Sequence, residues 1–293
     1  MGNIRRFARL HAFVAFTVAI VTMLAALPGV ADAHGTAHLG ATFVSRCEFS
    51  HRANEDPIVM PGMHDMGMLH DFFGNVSTDA DSTAGSLATG GTTCRRHNDR
   101  AAYWAPTLYQ SGVPVPVIAV RAYYTAQGAA IARVATMPVG LKMIAGYDNH
   151  VAFACRKGMQ PGVAQANPPT CGGHRTNFIS IVTFPDCWNG VDLDSPDHMS
   201  HVAYHQGNGL CPVGFAVQLP RLILKFMYGR TSGGNAITVS TDMGTQGPPS
   251  TMHADFFNAW DNTELSTLVH NCLAARKQCG ETAGGTPVGH RGT

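Results

Sequence analysis

Eight cysteines, at positions 47, 94, 155, 171, 187, 211, 272 and 279, constrain this chain more than any other feature. They follow what reads as an export signal. Arg5, Arg6 and Arg9 form a positive start, Phe13 to Leu27 runs without a charge, and Ala31-Asp32-Ala33 makes an A-x-A cleavage site. An even number of cysteines in an exported chain reads as disulfides, and eight allow roughly a hundred pairings. Proximity along the chain favours Cys155–Cys171, Cys187–Cys211 and Cys272–Cys279, leaving Cys47–Cys94, although sequence alone does not choose. No C-x-x-C pair exists, which argues against a structural zinc site.

The expected organisation is a signal peptide over 1–33, an N-terminal arm over 34–44, a single domain over 45–279 and a disordered tail over 280–293. The apolar run of the signal is shorter than the ~20 residues that span a bilayer, and none of that length follows. No stable membrane span is expected after cleavage. Charged residues are 13% of the 293 residues. So low a content excludes coiled coils, helical arrays, acidic disorder and a polybasic nucleic-acid surface. Lys and Glu each occur four times, against 32 Gly and 17 Pro, which favours strands and loops over helices.

Strands are expected over Val115–Tyr124, Leu141–Gly146, Phe178–Phe184, Leu219–Tyr228 and Ala236–Thr241, rich in Val, Ile and aromatics. A helix is expected over Asp261–Lys277, with Asp261 and Glu264 as a capping box and Leu265, Leu268 and Leu273 as its apolar stripe. Gly158–Gly173 reads as a long loop closed by Cys155 and Cys171. The expected fold is mainly β: a disulfide-bonded, β-sandwich-like domain with long loops and a C-terminal helix. An α+β layout is the alternative.

Histidine is the compositional anomaly. Fifteen occur, several beside Asp. Three clusters combine the two residue types: Pro61 to Asn75, with His64, His70 and Asp71; Phe184 to Tyr204, with Asp194, Asp197, His198 and His201; and His253 to Asp261, with Asp255. Ser195-Pro196 reads as a helix start, which would put His198 and His201 on one face. Burying imidazoles and carboxylates together is expensive without a role. His70, Asp194, Asp197, His198, His201, His253 and Asp255 are therefore expected to converge in one pocket. Three separate structural clamps would explain the same composition.

The motifs Asp56-Pro57-Ile58-Val59, His70-x-Phe72-Phe73-Gly74-Asn75, Tyr103-Trp104-x-Pro106, Met143-Ile144-Ala145-Gly146, Leu193-Asp194-Ser195-Pro196-Asp197-His198-x-Ser200-His201-x-Ala203-Tyr204 and His253-Ala254-Asp255-Phe256 recur in an order that resembles the DUF1996 family of secreted proteins. The resemblance spans about residues 45–275. It implies polysaccharide surroundings by association only, because that family has no assigned function. The family pattern near His70 reads His-x-His, whereas Met68 stands at the first position here. If that pair were a ligand couple, His64 replaces the missing member or one ligand is lost. His205 lies outside the family pattern.

Three functions compete. A glycan-acting hydrolase would draw its carboxylates from Asp71, Asp194, Asp197 and Asp255, helped by His198 and His201, with Asn75, Trp104, Trp188 and Trp260 against the sugar. A metal-binding protein would use His70, His198, His201 and His253, with Asp194 or Asp197, for a divalent zinc, iron or copper ion. Cleavage after Ala33 would also expose His34, whose amine and imidazole could chelate copper. A non-catalytic wall or polysaccharide-binding module is the third. No G-x-S-x-G elbow, phosphate loop or dinucleotide fingerprint is present.

Overall fold

Strict alternation of side chains across one sheet builds the molecule. The computed structural model describes residues 40–281, apart from 127–130, 132, 148–149, 158–159, 173–175, 230 and 232. The signal peptide, His34 and the tail from 282 lie outside the described residues.

Ten strands form an antiparallel sheet: β1 (Ala41–Ala53), β2 (His70–Gly74), β3 (Ala102–Pro106), β4 (Val117–Ala126), β5 (Lys142–Gly146), β6 (Val151–Lys157), β7 (Gln160–Pro161), β8 (Thr176–Thr183), β9 (Arg221–Tyr228) and β10 (His253–Phe257). Their order is β5-β10-β3-β2-β1-β4-β9-β8-β6-β7. The sheet curls, so one core collects Phe43, Phe73, Tyr103, Tyr124, Met143, Phe178, Phe226 and Phe256 from both of its halves. Two small sheets border it: one from 187–188, 202–203 and 217–218, the other from 108–110, 113–114, 237–240 and 246–247.

The fold is mainly β, and four of the expected strands lie within two or three residues of β4, β5, β8 and β9. The fifth, Ala236–Thr241, is the 237–240 strand of the second small sheet. The expected arm is corrected: β1 begins at Ala41, because Phe43 is buried, with its ring 4.7 Å from that of Tyr124. The expected C-terminal helix is shorter, with α-helix over Asn262–Leu268 and a wider turn over Val269–Ala274. Asp261 caps it by accepting from the Glu264 N–H at 2.9 Å. Glu264 does not close a capping box; its carboxylate accepts from the Asn98 amide at 2.6 Å. Gly280 and Glu281, expected in the tail, are docked: Arg96 donates to the Gly280 carbonyl, and Arg121 pairs with Glu281 at 2.7 Å.

The four disulfides are Cys47–Cys94, Cys155–Cys171, Cys187–Cys211 and Cys272–Cys279, the pairing that proximity favoured. They fit a protein of an oxidising compartment.

One buried polar chain runs through the core. The Trp260 indole N–H donates to the Tyr124 hydroxyl at 2.9 Å, Tyr124 meets the Tyr103 hydroxyl at 2.8 Å, and Tyr103 donates to Asp99. Burial pushes the Asp99 carboxyl up to about 7 from an ordinary 3.8, against the pull of its hydrogen bonds and Arg96. Between those values the folded protein keeps a proton that the unfolded chain releases. The stability it contributes is full below 3.8 and is lost as pH rises through about 7, with a slope of at most ~1.4 kcal/mol per pH unit. Urea unfolding of wild type and Asp99→Asn from pH 4 to 8 checks this. Their stability difference is expected to change over that window, and parallel profiles would contradict it.

Candidate metal centre

Two residues apart on one strand, His253 and Asp255 project from the same face of β10. His70, at the start of β2, projects from the same face of the sheet, with β3 running between the two strands. Trp104 of β3 lies opposite both Phe72 and Asp255, which fixes the register. Next to these polar groups the face becomes apolar. Phe72, Trp104, Ile144 and Phe257 pack with Ile58 and Leu87 from the segment between β2's neighbours, forming a small second core. Gly146 makes the close approach at His253 possible. It pairs with His253 at φ +123, and a Cβ there would fall 2.5 Å from the His253 Cα.

The His70 and His253 rings meet edge to face at 5.9 Å. One ligand atom from each of His70, His253 and Asp255 lies within 4.8 Å of the others, and all three residues are buried. Backbone carbonyls set both tautomers. His70 Nδ1–H donates to the Glu55 carbonyl at 3.1 Å, and His253 Nδ1–H to that of Thr251 at 3.0 Å. Both Nε2 atoms therefore present a lone pair to the cluster. Among the described residues, His70 Nε2 and both Asp255 carboxyl oxygens have no hydrogen-bond partner. His253 Nε2 lies 3.7 Å from Asp255 Oδ2. Burial holds each imidazole down to about 4, so they are neutral near pH 7 and this contact is not an ion pair. Burial, and then the charge of Asp56, push Asp255 well above the usual carboxylate range. Apart from the proton that this shift keeps on Asp255 in the metal-free protein, the described residues bring no donor to these acceptors.

Tyr147 covers it. Its half-exposed ring stacks on His253 at 4.6 Å. Asp56 lies within electrostatic reach of His253, its carboxylate accepting from the Ile58 and Val59 N–H groups at 2.9 Å. Neither Asp56 nor Tyr147 carried a role in the sequence reading. Asp56 stood inside a recurring motif, which was its available signal.

The remaining expected residues divide into separate groups. His198 Nδ1 meets Asp194 at 2.8 Å, and Lys142 Nζ lies 3.5 Å from the same carboxylate. The Ser195 hydroxyl bridges Asp197 and His201, whose Nε2–H donates to the Lys142 carbonyl at 2.7 Å. No helix follows Ser195-Pro196. Asp197 accepts from the Met199 and Ser200 N–H groups, and His198 turns to φ +57, so the chain makes tight turns that separate His198 from His201. Those N–H donors, Ser200 first, hold Asp197 below the usual carboxylate range.

Asp71 projects from the opposite face to His70, paired with Arg52 at 2.6 Å. Trp104 and Trp260 are 0% and 2% exposed and offer no ring to a sugar. Asn75 is buried, its amide donating to the Leu87 and Arg100 carbonyls. Trp188 keeps partial exposure, with its indole N–H donating to Asp192. His64 does not join His70, because Glu55 and Asp81 engage its two ring nitrogens. An open hollow lined by Arg133, Leu210, Pro212 and Phe215 lies along 209–218 and carries no imidazole or carboxylate.

No curated protein and no solved structure matches the chain. A family model does, that of a domain of unknown function, over residues 56–260, which hold every residue of this centre. The chain belongs to the DUF1996 family.

Proposed function

We propose that this is a secreted metalloprotein whose centre is His70, His253 and Asp255. One observation carries the reading: two imidazole lone pairs and a carboxyl group, all buried, face one another, and among the described residues neither His70 Nε2 nor either carboxyl oxygen has a hydrogen-bond partner. Unpaired buried acceptors are costly, and a cation satisfies all of them at once. Two nitrogens and one carboxylate suit zinc or iron, and three protein ligands leave open positions for water or substrate. When bound, such an ion supplies Lewis acidity and an activated water.

The chain's own residues divide the remaining work. Backbone carbonyls of Glu55 and Thr251 hold the imidazoles in the ligating tautomer. Tyr147 and the apolar floor of Phe72 and Trp104 limit water. His198, oriented by Asp194 at 2.8 Å, would serve as the proton-transfer group. Hydrolysis is the reaction class that uses such a pair. A two-carboxylate glycosidase has less support, since Asp71 is buried in an ion pair and Asp255 lies in the centre.

Cobalt(II) titration followed by its visible absorption tests the centre. One equivalent is expected to bind wild type and Asp71→Asn, and under a tenth of an equivalent His70→Ala/His253→Ala. Full binding by the double variant, or none by wild type, overturns the reading.

A further inference from the structure

We propose that the outer face of the sheet, where β1, β4 and β9 run side by side, holds a site for a doubly charged oxyanion, a sulfate or phosphate group, between Arg46, Arg121 and Lys225. This inference goes beyond the His70–His253–Asp255 centre and does not depend on it. Arg46 lies directly opposite Arg121, and Arg121 directly opposite Lys225. Their neighbours Cys47, Val120, Ala122, Leu224 and Phe226 belong to the core, so alternation along each strand puts the three cations on the outer face. Like charges opposite one another on neighbouring strands destabilise a sheet. In a chain with 13% charged residues, such a row is not explained by packing.

Two further groups converge on the row. Arg156 of β6 reaches over the same face, its Nη1 3.7 Å from Sδ of Met227, which stands two residues from Lys225 on β9. Tyr123, two residues from Arg121 on β4, is 7% exposed. Lys225 Nζ sits 4.8 Å from the centre of its ring, and the Arg121 guanidinium donates to its hydroxyl oxygen. A hydroxyl that accepts from Arg121 keeps its own hydrogen to donate. Burial, and then the charges of Arg156 and Arg121, push the Lys225 ammonium below its ordinary range.

The carboxylates at hand do not balance these charges. Glu48 Oε1 lies 3.1 Å from Arg46 Nη2, and Glu281 meets Arg121 Nε at 2.7 Å and Arg95 Nη1 at 3.2 Å. Among the described residues Lys225 has no carboxylate partner, and Arg46 Nε is buried without a hydrogen-bond partner. Four cations therefore share two carboxylates before Arg156 is counted. Residues 282–293 contain no Asp or Glu, so the stretch after Glu281 adds no side-chain carboxylate. The donors come from several strands and so from several directions. That suits a tetrahedral dianion better than another carboxylate, whose planar fork a single guanidinium fills. The Arg46 and Arg121 side chains are each 19% exposed, desolvated enough to hold an anion and open enough for one to reach them.

Calorimetric titration with sodium sulfate and with sodium phosphate, at an ionic strength held constant by sodium chloride, tests the proposal. Wild type is expected to bind one equivalent saturably. Lys225→Gln and Arg46→Gln are each expected to weaken binding at least tenfold, and Glu281→Gln, which removes the resident carboxylate, to tighten it. Glucosamine 6-sulfate in the same titration tells a sulfate ester from the free ion by which of the two binds more tightly. No saturable binding by wild type, or undiminished binding by both Lys225→Gln and Arg46→Gln, overturns the proposal. Circular dichroism checks the fold of each variant. Were those two to unfold, Glu281→Gln decides, and an unchanged or weaker affinity there overturns the proposal as well. Loss of binding in His70→Ala/His253→Ala would assign the anion to the centre and also overturn it. Anion binding without any cobalt binding by wild type would sink the centre and leave this site standing.

Discussion

Replacing Cys47 and Cys94 together by serine is expected to lower stability by about 4 kcal/mol in the chain-entropy treatment of a crosslink. The bond closes a separation of 47 residues, the longest of the four disulfides. Cys272–Cys279 closes only seven, for which the same treatment gives about 2 kcal/mol. The enclosed stretch, residues 48–93, contains Glu55, Asp56 and all of β2. Loosening it releases the segment that positions His70, so metal uptake is expected to weaken along with the fold. Urea unfolding of the two double variants against wild type measures the difference. If loss of Cys272–Cys279 lowers stability as much as loss of Cys47–Cys94, strain or packing rather than loop closure sets the contribution.

Strands built from long apolar runs were legible in the sequence, because burial on at least one face imprints Val, Ile and aromatic residues at period two. β8 and β9 are of this kind. β2, β3 and β10 were not, and the reason is their role. His70 and Asp71 open β2, Trp104 and Pro106 sit in β3, and His253 and Asp255 occupy β10, so polar and ring residues mask the pattern where the site is built. The pairing of His with Asp drew attention to His70, His253 and Asp255, which the fold brings together. What it could not do was tell neighbours apart. His70 and Asp71 are adjacent in sequence, yet a one-residue step along a strand reverses the face, and only His70 reaches the cluster. The same limit applies to the aromatics. Trp104 and Trp260 stand beside polar motifs because those motifs frame two cores, and no local signal distinguishes a ring that lines a cleft from one that fills the interior. At Ser195-Pro196 a helix-start signal was overridden by Asp197, whose carboxylate captures the N–H groups a helix would have used.

Asp255→Asn is expected to stabilise the metal-free protein while weakening metal binding about a hundredfold or more. Asp255 is fully buried, among the described residues neither carboxyl oxygen has a hydrogen-bond partner, and burial keeps its proton on, so near pH 7 the metal-free chain folds only by taking up a proton that the unfolded chain has released. An asparagine of the same shape folds without taking up a proton. Its amide can also donate to the Nε2 lone pair of His253, whose distance to the present carboxylate is 3.7 Å. Relief of one buried unsatisfied group is worth about 1–3 kcal/mol, and it appears as a higher melting temperature. The amide oxygen is a far weaker ligand than a carboxylate for a divalent ion, so the same substitution removes the charge that would neutralise the cation. In wild type the metal is expected to raise the melting temperature by mass action, which the variant should not show at the same concentration. Thermal unfolding of both proteins, with and without cobalt(II), separates the two effects. A purely structural Asp255 predicts a variant that melts lower than wild type with no metal present. A site under functional constraint predicts the opposite order, because stability has been given up there for a set of acceptors that only a cation completes.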